Sequence, residues 1–186
     1  PILPNQIGHT SNQQRRFSKT KIDIIKSLDL VIIDEISMVR ADVLDGIDQV
    51  LRRYKNKHKV FGGVQILMIG DLQQLAPVVK PNEWSLLKEH YNTVYFFSSK
   101  AYQAASVVSI ELQHIYRQKN ADFIKILNEI RNDQLSETSA AILNKRYQPM
   151  FSPHKDEGYI TPTTHNKRAS LINDSELNTL TTKNHI

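Results

Sequence analysis

Leu30-Val31-Ile32-Ile33-Asp34-Glu35 and Ile66-Leu67-Met68-Ile69-Gly70-Asp71 are the stretches that decide how this chain folds. Each is an apolar run that stops at an acid. The runs over 28–33 and 64–69 are too short for buried helices, and little polar alternation interrupts them, so they predict two strands buried on both faces. Between them Val43, Ile47, Val50, Leu51 and Tyr54 recur at helical spacing within 39–54, with Arg and Asp among them. Gly62-Gly63 then break the chain before the second run. Strand, helix, strand in that order is a crossover unit. The two strands are therefore expected as direct parallel neighbours with a right-handed connection.

Upstream of this unit, residues 1–16 are polar and punctuated by Pro1, Pro4 and Gly8, the pattern of a loop. Its basic residues Arg15 and Arg16, with Lys19, read as solvated. Ser18 is placed to cap a helix through Ser27 that carries Ile22, Ile24 and Ile25. Downstream, 94–97 and 107–112 read as further strands around a short helix at 99–105, and 123–130 and 140–147 as amphipathic helices. Residues 148–158 hold two prolines and several charges and read as a linker. A strand at 159–162 and a helix over 166–180 follow. The expected organisation is an irregular segment at 1–17, a first domain over 18–148, and a linker with the beginning of a second domain over 149–186. The fold class is α/β, a parallel sheet with flanking helices.

Composition narrows the class without naming a function. The 186 residues, 40% hydrophobic and 23% charged, suffice for one domain or one domain and part of another. No apolar run approaches the ~20 residues of a membrane span, so no membrane partner is expected, and nothing at the start resembles a secretory signal. The absence of cysteine removes disulfides and thiolate metal sites. It fits a reducing compartment, the cytoplasm or a eukaryotic nucleus or mitochondrion, rather than secretion. A net charge of +5 permits a polyanionic partner but equally describes a mildly basic soluble domain. The chain opens on Pro1 rather than Met, which points to a piece of a longer protein.

The strand ends carry the chemistry. Open parallel sheets bind ligands at the carboxyl ends of their strands, where Asp34 and Glu35 would sit. Nucleoside triphosphate hydrolysis needs one carboxylate to hold Mg²⁺, usually through water, and another to orient or deprotonate the attacking water. Asp34 suits the first task and Glu35 the second. Alone, a strand ending in solvated acids is the commoner arrangement. The second run ends in Gly70-Asp71 and continues through Gln73 and Gln74 to Pro77. A neutral amide such as Gln74 can bond a phosphate oxygen or a water without competing for a metal. Two such exits on neighbouring strands are more specific than either one. In Glu111-Leu112-Gln113-His114-Ile115-Tyr116-Arg117-Gln118, Arg117 follows a predicted strand and could neutralise charge on a phosphoryl group. Alone it would read as a surface arginine.

Together these residues resemble the PIF family of superfamily-one DNA helicases, relatives of RecD. The likeness runs from Asp34-Glu35-Ile36-Ser37-Met38-Val39 through Asp45 and Phe61-Gly62-Gly63-Val64-Gln65 to Gly70-Asp71 and Gln74-Leu75, and then to Tyr116-Arg117-Gln118. The family carries a Walker B strand ending in an Asp-Glu-Ile-Ser-Met-type sequence. A Phe-Gly-Gly-x-Gln element and a Gly-Asp-x-x-Gln-Leu-Pro-Pro motif follow. The resemblance implies an incomplete RecA-like P-loop NTPase domain over 18–148, then the start of a second one, where Asn166 and Asn173 sit in a Thr-x-x-Asn-like pattern. It implies ATP and Mg²⁺ as cofactors, with Asp34 on the metal side, Glu35 activating water, and Asp71, Gln74 and Arg117 around the nucleotide. The implied partners are single-stranded DNA and duplex junctions. Phe61, Trp84, Phe97, Tyr102 and His165 read as core or surface residues, not as a base-stacking platform.

The departures are informative. Ala76 stands where the family has its first proline after Gln-Leu, and Leu72 where an aromatic is usual. A Walker A loop needs Gly-x-x-x-x-Gly-Lys-Ser/Thr to cradle phosphates with backbone N–H groups. Gly8, Gly46, Gly62, Gly63, Gly70 and Gly158 are the only glycines, and none precedes a lysine. The chain by itself is therefore expected to turn over no ATP. In the implied RecA-like order, the strand leading into that loop flanks strand 64–69. Each unpaired buried backbone group costs ~1–3 kcal/mol. The gap is accordingly expected to be closed by rearrangement within the chain or by a second copy, in a strand-swapped homodimer. Two rival readings stay open at this point. One is a metal-dependent phosphohydrolase or nuclease built on Asp34, Glu35 and Asp71; the other is a non-catalytic DNA-binding or scaffold domain descended from an NTPase.

Overall fold

The structure, a computed structural model, describes residues 17–152 and 157–179. The loop predicted over 1–16, with Arg15 and Arg16, lies outside them. Helix α1 (Lys19–Ser27) begins as its sequence indicates: the Ser18 hydroxyl accepts from the Lys21 N–H at 3.4 Å, satisfying one of the donors that a first helical turn leaves free. Strands β1 (Leu30–Ile33) and β2 (Gln65–Met68) are parallel neighbours in register, Leu30 opposite Gln65 and Ile33 opposite Met68. Helix α2 (Ala41–Tyr54) lies between them in the chain. The predicted strand, helix, strand unit is present.

The core forms where α2 meets one face of this sheet. Leu44 and Leu51 from α2 join Ile36, Phe61, Val64, Phe96 and Ala101, and Val31, Ile33, Ile66 and Met68 pack against that cluster from the strands. Burial of each large apolar side chain contributes roughly 1.5–3 kcal/mol. The turn entering β2 is set by close packing. Phe61 (φ 51) and Gly62 (φ 65) are both left-handed, and a Cβ on Gly62 would lie 2.5 Å from the Leu51 carbonyl oxygen. Asp48 of α2 holds this turn by accepting the Phe61 N–H at 2.5 Å while its other oxygen takes the Arg52 Nε at 2.7 Å.

Several expectations are corrected. The strands are covered on one face only. Side chains alternate along a strand, so Leu30, Ile32 and Leu67 lie opposite the core and are 44%, 57% and 45% exposed. Residues 94–97 form no strand. The Ala41 N–H bonds the Val94 carbonyl, Tyr95 makes a single antiparallel bridge to Arg40, and the chain turns at Phe96–Ser98 to bury Phe96. Residues 107–112 form no strand either. They are extended in sequence type but no ladder partner among the described residues supplies hydrogen bonds, and Val108 and Ile110 stand 85% and 81% exposed. The same is true of 159–162. Among the described residues the sheet has two strands, and none of these residues closes the second edge of β2. That edge lies along a groove of about 770 Å³ lined by β2 and by residues 104–110.

Helix α3 (Pro81–Leu87) was not foreseen. It starts on a proline, and the Glu83 carboxylate accepts the Lys80 N–H at 3.1 Å, a start signal attached to a very short apolar pattern. Helix α4 (Lys100–Ala104) fills the predicted helical stretch, capped by Ser99. Helices α5 (Ala121–Arg131), α6 (Glu137–Asn144) and α7 (Asn166–Leu177) follow. By packing, the chain divides into two compact units, Pro1–Lys119 and Asn120–Ile186. This division precedes the boundary near 148 and puts α5 and α6 with the second unit. Between those two helices the Glu129 carboxylate accepts from the Ser136 N–H at 3.0 Å and the Ser136 hydroxyl at 2.8 Å. Hydrogen bonds from Ser139 and Ser136 hold its pKa down to about 2. No described helix is long and apolar enough to cross a membrane.

Candidate active site

Hydrogen bonding carries the parallel pairing beyond the strands, to Ile69 after β2 and to Ile36 after β1. The Ile69 N–H donates to the Ile33 carbonyl at 2.9 Å, and the Ile36 N–H donates to the Ile69 carbonyl at 2.9 Å. The two exit loops therefore leave the same edge of the sheet side by side. On the first, Asp34 is exposed and its carboxylate accepts the Glu35 N–H at 2.9 Å. Glu35 is exposed and left-handed, φ 51 and ψ 44, and opens the turn Ile36–Met38. The left-handed conformation costs a side-chain-bearing residue roughly 1–2 kcal/mol. Such strain persists only where the surroundings over-determine it, and it gathers at functional sites. Ile36 and Ser37 behind it are buried.

On the second exit, Asp71 organises its own loop. One carboxylate oxygen accepts the Gln73 N–H at 3.0 Å and the other accepts the Gln74 side-chain amide at 3.2 Å, while the Gln74 N–H bonds the Asp71 carbonyl at 3.1 Å. Asp34, Glu35, Asp71 and Gln74 thus share the carboxyl edge of two adjacent parallel strands. Arg117 belongs to the same packing unit but lies in an irregular stretch, is exposed, and makes no hydrogen bond or ion pair with any of the four.

Buried acids of α2 tie the surrounding elements together, and of these only Asp45 belongs to the sequence stretch that carries the family likeness. Asp42, Asp45 and Asp48 recur every three residues on the buried side of α2, each less than a tenth exposed. Arg40 bonds both Asp42 oxygens, at 2.9 and 2.7 Å, and reaches Glu83 at 3.3 Å. The bond to Asp42 foremost raises its pKa above an already high value. Asp45 accepts the Ala101 N–H at 2.8 Å, the Lys100 N–H at 3.2 Å and the Tyr91 hydroxyl at 2.9 Å. Burial, and then that bond, push the Tyr91 pKa up. The available signal was three acids at helical spacing on an otherwise apolar face, which buried donors elsewhere must satisfy.

The donor set fits Mg²⁺ only in company with a substrate. Among the described residues no group of three or more His, Cys, Asp or Glu could hold a metal ion, the set that a self-sufficient hydrolytic metal centre would require. Mg²⁺ in nucleotide sites keeps several waters and uses one or two carboxylates with the substrate's phosphates. Asp34 and Asp71 at one edge meet that requirement.

The profile of the family described as "PIF1-like helicase" matches residues 3–141. The chain belongs to the PIF1-like helicase family. This PIF1-like chain is 30% identical over 165 residues to ATP-dependent DNA helicase PIF1 of Saccharomyces cerevisiae, covering 87% of the chain and 18% of the yeast protein. It is 31% identical over 158 residues to ATP-dependent DNA helicase PIF1 of Homo sapiens, covering 83% of the chain and 23% of the human protein. Among solved structures, that of Pif1 helicase from Bacteroides in complex with ADP-AlF3 and single-stranded DNA matches with a TM-score of 0.81 at 36% identity. That match covers 91% of this chain and 40% of the Bacteroides chain. The PIF1-like chain therefore spans well under half the length of these relatives. Its parallel pair with flanking helices is RecA-like α/β architecture, to which the described residues contribute two strands.

Proposed function

We propose that the full-length protein carrying this chain is an ATP-dependent DNA helicase, which couples hydrolysis to translocation along single-stranded DNA and to unwinding at duplex junctions. The observation that supports this most is the pairing of an Asp-Glu exit and a Gly-Asp-x-x-Gln exit on adjacent parallel strands. Bound Mg²⁺ would offset charge on the phosphates of ATP. Asp34, at the end of β1, would hold that ion through its water shell. Glu35 takes a proton from the attacking water, and its strained backbone fixes where the carboxylate stands. Gln74 is oriented by Asp71 and can transfer its amide hydrogen bond to the terminal phosphate. Arg117 neutralises charge on the same group once the nucleotide draws its loop in. The phosphate cradle has no counterpart in these 186 residues, so the chain alone turns over no ATP. The edge of β2 that no described residue pairs also suits a strand from a second copy, and sedimentation of the chain would test such a swapped homodimer.

Glu35→Gln in the full-length protein tests the assignment. The amide keeps the size of the carboxylate but cannot act as a base, so nucleotide binding stays near wild type and DNA-stimulated turnover falls by ~10²–10⁴. Near-wild-type turnover would remove Glu35 from the mechanism.

A further inference from the structure

Gly70 lies where the two exits touch. A Cβ built on it would lie 2.9 Å from the Ile36 Cγ2, 3.0 Å from the Ile36 nitrogen and 3.2 Å from the Ser37 nitrogen. Both neighbours are buried: Ile36 is 5% exposed and Ser37 1%. Close approach of backbone to backbone, rather than a left-handed φ, requires glycine here. The backbone it meets begins directly after Glu35. Three contacts hold Glu35 in its left-handed state: Asp34 on its N–H, the Met38 N–H on its carbonyl at 3.0 Å, and the anchoring of Ile36 to Ile69. The Ser37 hydroxyl is buried and has no hydrogen-bond partner among the described residues, so main-chain packing, not that side chain, seats the turn.

We propose that Gly70 is a positioning residue for Glu35. Without a side chain, it lets the Ile36-Ser37 backbone rest against the exit of β2, and that seat fixes the direction in which the Glu35 carboxylate leaves the sheet edge. The two motifs are then one mechanical unit: a displacement at Gly70-Asp71 moves Glu35. The catalytic part of this inference rests on the reading of Glu35 as the group that activates water; the seat itself does not.

Gly70→Ala tests both parts. In the 186-residue chain, hydrogen exchange of the Ile36 amide should accelerate about tenfold or more relative to the amides of α2. In the full-length protein kcat for DNA-stimulated ATP hydrolysis should fall about ten- to a hundredfold, since displacements near 1 Å cost that much, with KM for ATP unchanged. If Gly70→Ala does not fold, the double variant Ile36→Ala/Gly70→Ala takes its place. There the new methyl enters space vacated by Cγ2 while the close approach to the Ile36 nitrogen persists, so kcat stays low and KM stays normal. Unchanged Ile36 exchange together with wild-type kcat, in either variant, overturns the proposal. Fast Ile36 exchange with normal turnover overturns its catalytic part. Retained turnover in Glu35→Gln would instead defeat the role of Glu35 and leave the exchange result to judge the seat.

Discussion

Asp45→Ala should be among the most destabilising substitutions in the first packing unit, although Asp45 touches no candidate catalytic residue. Asp45 is 7% exposed, and its carboxylate accepts from Ala101 N, Lys100 N and the Tyr91 hydroxyl. Truncation frees all three donors, but not equally. Lys100 is exposed and Tyr91 partly so, and both can turn to water. Ala101 is 3% exposed, and an orphaned buried N–H costs about 1–3 kcal/mol. A lost hydrogen bond to a charged acceptor adds about 1.5–3 kcal/mol, for a total of about 2.5–6 kcal/mol. Tyr91→Phe removes only the hydroxyl contact and should cost about 1 kcal/mol. Urea unfolding followed by Trp84 fluorescence measures both, since Trp84 lies in α3 of the same unit. The expected result is a large fall in midpoint with little change in slope. A cost below about 1 kcal/mol for Asp45→Ala, or equal costs for the two variants, would refute the reasoning that Asp45 ties α2 to α4.

Three further outcomes are expected. The Glu129 pKa is lowered, so the contribution of this carboxylate to α5–α6 packing is complete above its ordinary value of 4.5 and is lost as pH falls toward about 2. Circular dichroism across that window should show a transition that Glu129→Gln removes; an identical acid profile in the variant would count against it. Asp48→Ala frees the Phe61 N–H at a strained turn and should cost about 2–3 kcal/mol, again read by urea unfolding. Glu35→Gly relieves about 1–2 kcal/mol of left-handed strain against about 0.5–1 kcal/mol of added chain entropy. It should be slightly stabilising while abolishing turnover in the full-length protein, and a clear loss of stability would show that Glu35 is unstrained.

What could be read from the sequence was local or strongly patterned. Two apolar runs ending in acids, with a helical period between them, specify a parallel pair whatever else the chain does. Ser18 announces a helix start because a first turn always needs acceptors. Residues 107–112 have the composition of a strand, but a strand exists only beside a partner, and partners are not encoded locally. Residues 94–97 were misread for the related reason that an aromatic run can pack as well as pair. The roles of Asp42, Asp45 and Asp48 depend on donors far along the chain, such as Ala101, 56 residues from Asp45. At the candidate site, the placement of Asp34, Glu35, Asp71 and Gln74 at one sheet edge was legible from the two apolar runs and their exits. The left-handed Glu35 and the contact under Gly70 were not, because both arise from how two distant turns meet. Arg117 was legible as a motif residue, while its position depends on a segment without regular structure.

The most direct test of the central claim is an experimental structure of the full-length protein with Mg²⁺, ADP and aluminium fluoride. The account predicts the nucleotide's terminal group at the carboxyl ends of β1 and β2, with Asp34 on the metal's water shell. Glu35 should stand within hydrogen-bond reach of the attacking water, directly or through one other water, and Gln74 and Arg117 should contact the fluoride. A nucleotide bound away from that edge, or a Glu35 carboxylate out of reach of the water, would contradict it.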